Sequence, residues 1–159
     1  MKFKSTKQNL VTGLRKVQSA VSTKATLPIL ANILMENSGD TLQLVATDLE
    51  VGIRCQVPCK GEANGAAAVP ARKFAEIIRE LPEDEEITIN VDDNNRLTGV
   101  CKRVKFSLMG LPKENFPALP KFKEEKAFSL PGERLNDMVK KTAFAMSNDD
   151  TRFTMNGIY

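Results

Sequence analysis

The chain repeats itself at a distance of 125 residues, and that repeat constrains its fold more than any single motif. Shifting residues 3–34 by 125 positions sets Phe3 on Phe128, Leu10 on Leu135, Lys16 on Lys141, Ala20 on Ala145, Ser22 on Ser147, Thr26 on Thr151 and Ile33 on Ile158 without a gap. Leu14 falls on Val139 and Val21 on Met146, so the apolar pattern survives where identity does not. Two copies of one supersecondary plan are expected: a first, complete domain over residues 1–120, a linker over 121–127 and a second domain that begins at 128. Within 128–159 the second copy holds its first strand, its first helix and the start of the next strand, Arg152–Tyr159. That last strand would leave backbone unpaired and an apolar face in water, so the protein is expected to continue past Tyr159.

The first copy reads as alternating strand and helix patterns. Lys2–Ser5 is a short strand, Thr6 a helix N-cap, and Leu10, Leu14, Val17 and Val21 recur at helical spacing over a helix of about 14 residues. Ile29–Met35, Thr41–Thr47 and Val51–Val57 read as successive antiparallel strands. Pro70 suits the first position of a second helix running to Leu81, with Phe74, Ile77, Ile78 and Leu81 as its buried stripe. Three further strands, Glu86–Val91, Arg96–Lys102 and Val104–Met109, follow, and the last carries Arg103, Lys105 and Ser107 between its apolar residues, the mark of an edge strand. Leu111–Pro120 and Lys121–Lys126 read as surface linker. The sum is an α+β fold with two helices packed on antiparallel sheet in each domain.

Several function classes drop out. There is no histidine, so Ser-His-Asp and Cys-His nucleophilic sites are excluded within this chain. Three cysteines, Cys55, Cys59 and Cys101, form no C-x-x-C pair and read as buried reduced thiols, so neither metal nor cofactor is expected. Neither Gly-rich phosphate loop is present. The paired acids Glu85-Glu86, Asp92-Asp93 and Asp149-Asp150 lie in polar turns and read as solvated charge, so no catalytic residue is assigned. No apolar run approaches the roughly 18 to 20 residues of a membrane helix, which makes the cytoplasm the default compartment.

The net charge of +3 is small, but residues 1–81 carry 11 Lys and Arg against 7 Asp and Glu. The polar face of the first helix holds Gln8, Thr12, Arg15, Lys16 and Ser19, and that of the second holds Arg72, Glu76 and Arg79. Taken alone, such faces read first as solvated surface and second as a sequence-blind phosphate contact.

Specific motifs sharpen this. Met1-Lys2-Phe3, Thr26-Leu27-Pro28-Ile29-Leu30, Thr47-Asp48-Leu49-Glu50, Val69-Pro70-Ala71-Arg72-Lys73-Phe74, Phe106-Ser107-Leu108 and Phe116-Pro117 stand in order along the chain, followed by Phe144–Asp150, Arg152-Phe153 and Asn156-Gly157. Together they resemble the bacterial sliding clamps, the β subunit of DNA polymerase III. The resemblance implies a DNA clamp fold: a ring of two subunits, each of three similar domains, with helices lining the hole around duplex DNA. It implies a non-catalytic processivity factor, with the polymerase and the clamp loader as partners.

The resemblance also implies roles for residues. Arg15, Lys16, Arg72 and Arg79 would face DNA, joined by Lys24 and Asn148 on loops, whereas Asp149 departs from the uncharged residue expected beside phosphate. Phe106 and Leu108 would supply the apolar part of the homodimer contact, and Lys73, Arg96, Arg103 and Lys105 its charged part. Arg152 and Met155 match the rim and wall of a pocket for partner peptides, most of which lies outside this chain. The competing reading is a stand-alone basic module that binds nucleic acid or protein, with residues 128–159 as a packing arm.

Overall fold

A computed structural model of the chain describes residues 1–21, 27–83, 85–120, 129–147, 149 and 151–158. It divides into two compact units, Met1–Leu119 and Pro120–Tyr159. Among its described residues the first unit holds nine strands: β1 (Lys2–Thr6), β2 (Asn32–Ser38), β3 (Thr41–Thr47), β4 (Gly52–Pro58), β5 (Lys60–Ala63), β6 (Gly65–Pro70), β7 (Glu86–Val91), β8 (Arg96–Cys101) and β9 (Val104–Met109). They form two antiparallel sheets, five strands in the order β5-β1-β7-β8-β9 and four in the order β4-β3-β2-β6. Two helices, α1 (Lys7–Val17) and α2 (Ala71–Glu80), lie next to each other, with α1 against β3 and β4 and α2 against β2 and β6.

α1 begins where its cap dictates. Thr6 has an extended backbone and its hydroxyl accepts the amide of Asn9 at 3.2 Å, satisfying one of the helix's open donors. The helix is α-helical only to Val17 and tightens into a 3-10 turn over Gln18–Ala20, which together cover the length its apolar spacing predicts. It buries Leu10, Gly13, Leu14 and Val17. Gly13 is required there, because a Cβ would stand 2.3 Å from Val57 Cγ2 on β4. α2 buries Ala71, Phe74, Ala75 and Ile78 in the same core, with Phe3, Met35, Leu44 and Ile89. Each such large side chain contributes on the order of 1.5–3 kcal/mol by leaving water.

In the first unit four points of the sequence reading need correction. Pro70 is not the first residue of α2 but its N-cap and the last residue of β6, paired with Asn32. That position is open to proline because β6 ends its sheet, where a missing N–H breaks no ladder. Residues 60–63 and 65–70 form strands β5 and β6 that the alanine-rich sequence Gly65-Ala66-Ala67-Ala68 does not announce, alanine having low strand propensity. Residues Pro28–Ala31 form a 3-10 turn, and β2 starts only at Asn32, whose side-chain amide donates to the Pro28 and Ile29 carbonyls at 3.1 and 3.2 Å. The stretch after β9 is a docked strap: Leu111 exchanges two backbone hydrogen bonds with Ala68 at 2.9 and 2.8 Å, and Phe116 is buried with Val45 and Ala68.

The turn between β3 and β4 explains the Thr47-Asp48-Leu49-Glu50 motif locally. The Asp48 carboxylate accepts the amides of Val51 at 2.7 Å and Glu50 at 3.0 Å, which hold it below the usual carboxylate range. This Asx-type brace keeps Leu49 at a φ of 82°, a conformation non-glycine residues rarely adopt.

The second unit holds α3 (Gly132–Thr142), then 3-10 turns at Ala143–Ala145 and Phe153–Met155. Both bounds of α3 lie 125 residues after those of α1, and the turn Ala143–Ala145 stands in the same relation to Gln18–Ala20. The strand expected over Arg152–Tyr159 is absent among the described residues. Its place is taken by the turn Phe153–Met155, the counterpart of Pro28–Ala31. The expected strand at Phe128 lies outside the described residues.

Candidate nucleic-acid and subunit-contact surfaces

The polar faces of α1 and α2 are where the cation excess of the first unit becomes geometry. α1 carries Lys7, Arg15 and Lys16 and no acid; α2 carries Arg72, Lys73 and Arg79 against Glu76 and Glu80. Arg15, Lys16, Arg72, Lys73 and Arg79 are all exposed. Arg15 and Lys16 occupy the last turn of α1, where the helix dipole favours cations, and neither has an ion-pair partner among the described residues. Arg79 donates to the Gln18 side-chain oxygen Oε1 at 2.7 Å, tying the end of α2 to the end of α1 through a neutral partner. Arg72 is the exception, because its Nε pairs with Glu76 Oε1 at 3.0 Å one turn along. The arrangement is a positive face spread over two helices, with a shallow cleft beside α1 lined by Lys7, Thr12, Arg15 and Glu83, and charge distributed in this way suits phosphate without fixing a sequence.

Lys7, which sequence reasoning did not single out, serves structure. Its ammonium donates to the Leu81 carbonyl at 2.7 Å and meets Glu83 at 2.6 Å, capping the C-terminal end of α2. Lys24 and Asn148 lie outside the described residues. Asp149 is engaged within its own loop: its carboxylate accepts the Thr151 hydroxyl at 2.7 Å and the Thr151 amide at 3.0 Å, which hold it below the usual carboxylate range. Arg152 adds a looser ion pair to Asp149 at 3.5 Å. Met155 accepts the Ser147 amide through its carbonyl at 2.9 Å, and the side chains of Arg152 and Met155 are both exposed. In the second unit these two residues sit on one turn, with Met155 donating its amide to the Arg152 carbonyl at 2.8 Å.

β9 is the edge strand its charges predict. Among the described residues it pairs with β8 alone, in the register Arg96 to Met109, Gly99 to Phe106 and Cys101 to Val104. Phe106 and Leu108 point to the core side and stay half-buried, whereas Lys105 and Ser107 face water. Arg96, Arg103 and Lys105 are exposed and, like Lys73, make no ion pair among the described residues. An apolar rim, an open backbone edge and the cation Lys105 thus coincide on β9, with Arg103 in the turn that precedes it and Arg96 opposite Met109 on β8. Sequence reasoning missed Gly99 beneath Phe106, although a glycine inside a strand pattern is the signal for a close approach.

Among the described residues no catalytic constellation accompanies these surfaces. The three thiols are free and buried, and burial pushes those of Cys59 and Cys101 up, away from nucleophilic thiolate. Among the described residues no three metal-ligating side chains converge, and no helix is long and apolar enough to cross a membrane.

Comparison with known proteins shows the family and the fold. The model of the DNA polymerase III beta subunit, N-terminal domain, matches residues 1–120. The chain is 35% identical over 158 residues to the beta sliding clamp of Chlamydia trachomatis and 38% identical over 159 residues to that of Proteus mirabilis, with 99% of the chain covered in each case. It spans 38% and 43% of the length of those two relatives. Among solved structures, the Pseudomonas aeruginosa sliding clamp bound to griselimycin superposes with a TM-score of 0.92 at 34% identity, covering 99% of this chain and 42% of that one. The Bartonella birtlesii clamp gives 0.94 at 32% identity, covering 100% and 42%.

Proposed function

Because the chain belongs to the bacterial DNA polymerase III β-subunit family, the sliding clamps, we propose that it supplies the first domain and part of the second of a ring that encircles duplex DNA and tethers a polymerase to it. Residues 1–120 form the first domain, 121–127 the linker and 128–159 the beginning of the second. The function is processivity without catalysis, exercised in the cytoplasm, where the DNA is. The observation that carries it is the pairing of α1 and α2 with Arg15, Lys16 and Arg79 exposed and, among the described residues, free of acidic partners. A topological tether needs a positive lining that attracts phosphate without fixing a register, and these side chains supply it. Arg72, shared with Glu76, contributes less, and Lys24 and Asn148, which lie outside the described residues, would add further phosphate contacts.

β9 is the subunit contact, with Phe106 and Leu108 as its apolar part and Lys73, Arg96, Arg103 and Lys105 facing carboxylates of a second subunit. Arg152 and Met155 belong to the surface that receives peptides of the polymerase and clamp loader, together with residues beyond this chain.

The test is retention on DNA by the full-length protein. It should stay on nicked circular DNA and leave when the circle is cut, and Arg15→Ala with Lys16→Ala should shorten retention and lower the salt dependence of binding by about two counterions. Equal affinity for circular and linear DNA would instead favour a stand-alone basic binding module.

A further inference from the structure

Gly99 stands in the middle of β8, directly opposite Phe106 on β9. A Cβ built at position 99 would lie 2.1 Å from Phe106 Cζ, 2.3 Å from Cε1 and 2.7 Å from Cε2. The tip of the ring therefore rests on the backbone of β8, at a height only glycine permits. The other inward positions of β7 and β8 carry ordinary core side chains, Ile87, Ile89, Val91, Leu97 and Cys101, all buried. Glycine at 99 thus breaks the core pattern of its own strand, and what fills the gap is the ring of the edge strand. Phe106 and Leu108 remain half-buried against the core, so one flank of each is left open along the rim.

We propose that Gly99 is a positioning residue for the subunit contact: it leaves empty the space that Phe106 lies down in, which fixes the ring within the β8–β9 surface and alongside Leu108. The inference rests on reading β9 as that contact. A strand or side chain closing on β9 must approach to within about 5 Å of its backbone. A ring displaced by a Cβ at 99 cannot sink further into a close-packed core, so it swings out over the edge and obstructs that approach. A ring already held in one rotamer also loses no freedom when the partner arrives. The surface so formed is shallow, and it fits aliphatic side chains laid against the ring's flank, not a pocket that would swallow the ring.

The experiment measures the subunit dissociation constant of the full-length protein by sedimentation equilibrium for Gly99→Ala, Phe106→Leu, Phe106→Ala and the double variant Gly99→Ala/Phe106→Leu. Gly99→Ala is expected to weaken association by roughly tenfold. In the Phe106→Leu background the same change should have no further effect, because leucine lacks the ring atoms that meet the new Cβ. On the 159-residue chain, the Gly99 Hα resonance should be shifted upfield by the ring current and lose that shift in Phe106→Leu. An equal penalty for Gly99→Ala in both backgrounds would assign the effect to the strand itself and overturn the proposal. So would a neutral Gly99→Ala in a protein that Phe106→Ala dissociates, although the β9 contact would then stand. If Phe106→Ala leaves association untouched, the contact reading fails and this inference fails with it.

Discussion

α1 and α3 are the same helix in two circumstances. Their bounds, Lys7–Val17 and Gly132–Thr142, are 125 residues apart at both ends, and each runs into a 3-10 turn of three residues. Their apolar stripes correspond as well, Leu10 with Leu135 and Leu14 with Val139. Yet Leu10 and Leu14 are 0% and 3% exposed, whereas Leu135 and Val139 are 51% and 40% exposed, and α3 buries no residue at all. Helix and terminus are therefore written locally, in periodicity and end signals, while burial depends on strands from elsewhere in the chain. In the first unit β3 and β4 supply that surface to α1. In the second unit, among the described residues, no strand does.

The strongest test of that contrast is the same truncation in both copies. Leu10→Ala removes a fully buried side chain and should cost about 2–5 kcal/mol, read as a fall in the urea midpoint of the first unit. Leu135→Ala should shift the midpoint by no more than about 0.5 kcal/mol. Comparable losses at the two positions would show that α3 is packed in solution and break the comparison.

A second test exchanges what the copies do not share. Gly13 of α1 corresponds to Met138 of α3, and a Cβ at 13 would meet Val57 Cγ2 at 2.3 Å. Gly13→Met gains about 1 kcal/mol of helix propensity but overpacks the α1–β4 contact, so a net loss of about 1–2 kcal/mol is expected. Met138→Gly, on an exposed face, should lower only the helicity of α3, by about 1 kcal/mol. If Gly13→Met stabilises the first unit, the close approach of helix to sheet is not what glycine serves there.

Legibility follows the same division. The strands Thr41–Thr47, Glu86–Val91 and Val104–Met109 are readable to the residue, because alternation and flanking turns are local signals. β6 is not, because three alanines acquire strand geometry by pairing with distant segments, β2 on one side and Leu111 on the other. The strap after β9 looked like linker because the docking of Phe116 against Val45 and Ala68 is a contact between distant segments. Of the candidate residues, helical spacing found the exposed cations and charge alternation found the edge strand. The Glu76 partner of Arg72 stood four residues away in plain sight, whereas the Gln18 partner of Arg79 needed the packing of α1 on α2.

A cap comparison is expected to give a smaller effect. Thr6 caps α1 through its hydroxyl, while Pro131 at the N-cap of α3 makes no side-chain bond. Thr6→Ala should cost the first unit about 1 kcal/mol, and Pro131→Thr should raise the helicity of α3 by a comparable or smaller amount, seen by circular dichroism. No gain in the second case would mean that the terminus of α3 is set by something other than its open amides.

The smallest effect separates the copies by charge. Position 149 of the second copy corresponds to position 24 of the first, an aspartate where the first has a lysine. The Thr151 hydroxyl, and after it the Thr151 amide, favour the ionised form of Asp149 and depress its pKa in the folded loop. A depressed carboxylate contributes stability that is present above its unfolded value, about 3.9, and is lost as the pH falls through the lower folded value. Acidification below about 4 should therefore release the Asp149–Thr151 brace, and the Thr151 amide resonance should report the transition. Thr151→Val removes the hydroxyl donor and should move the midpoint up, toward that of an unconstrained aspartate. A midpoint indifferent to Thr151→Val would sink the local brace as the reason an acid is held where the first copy carries a cation.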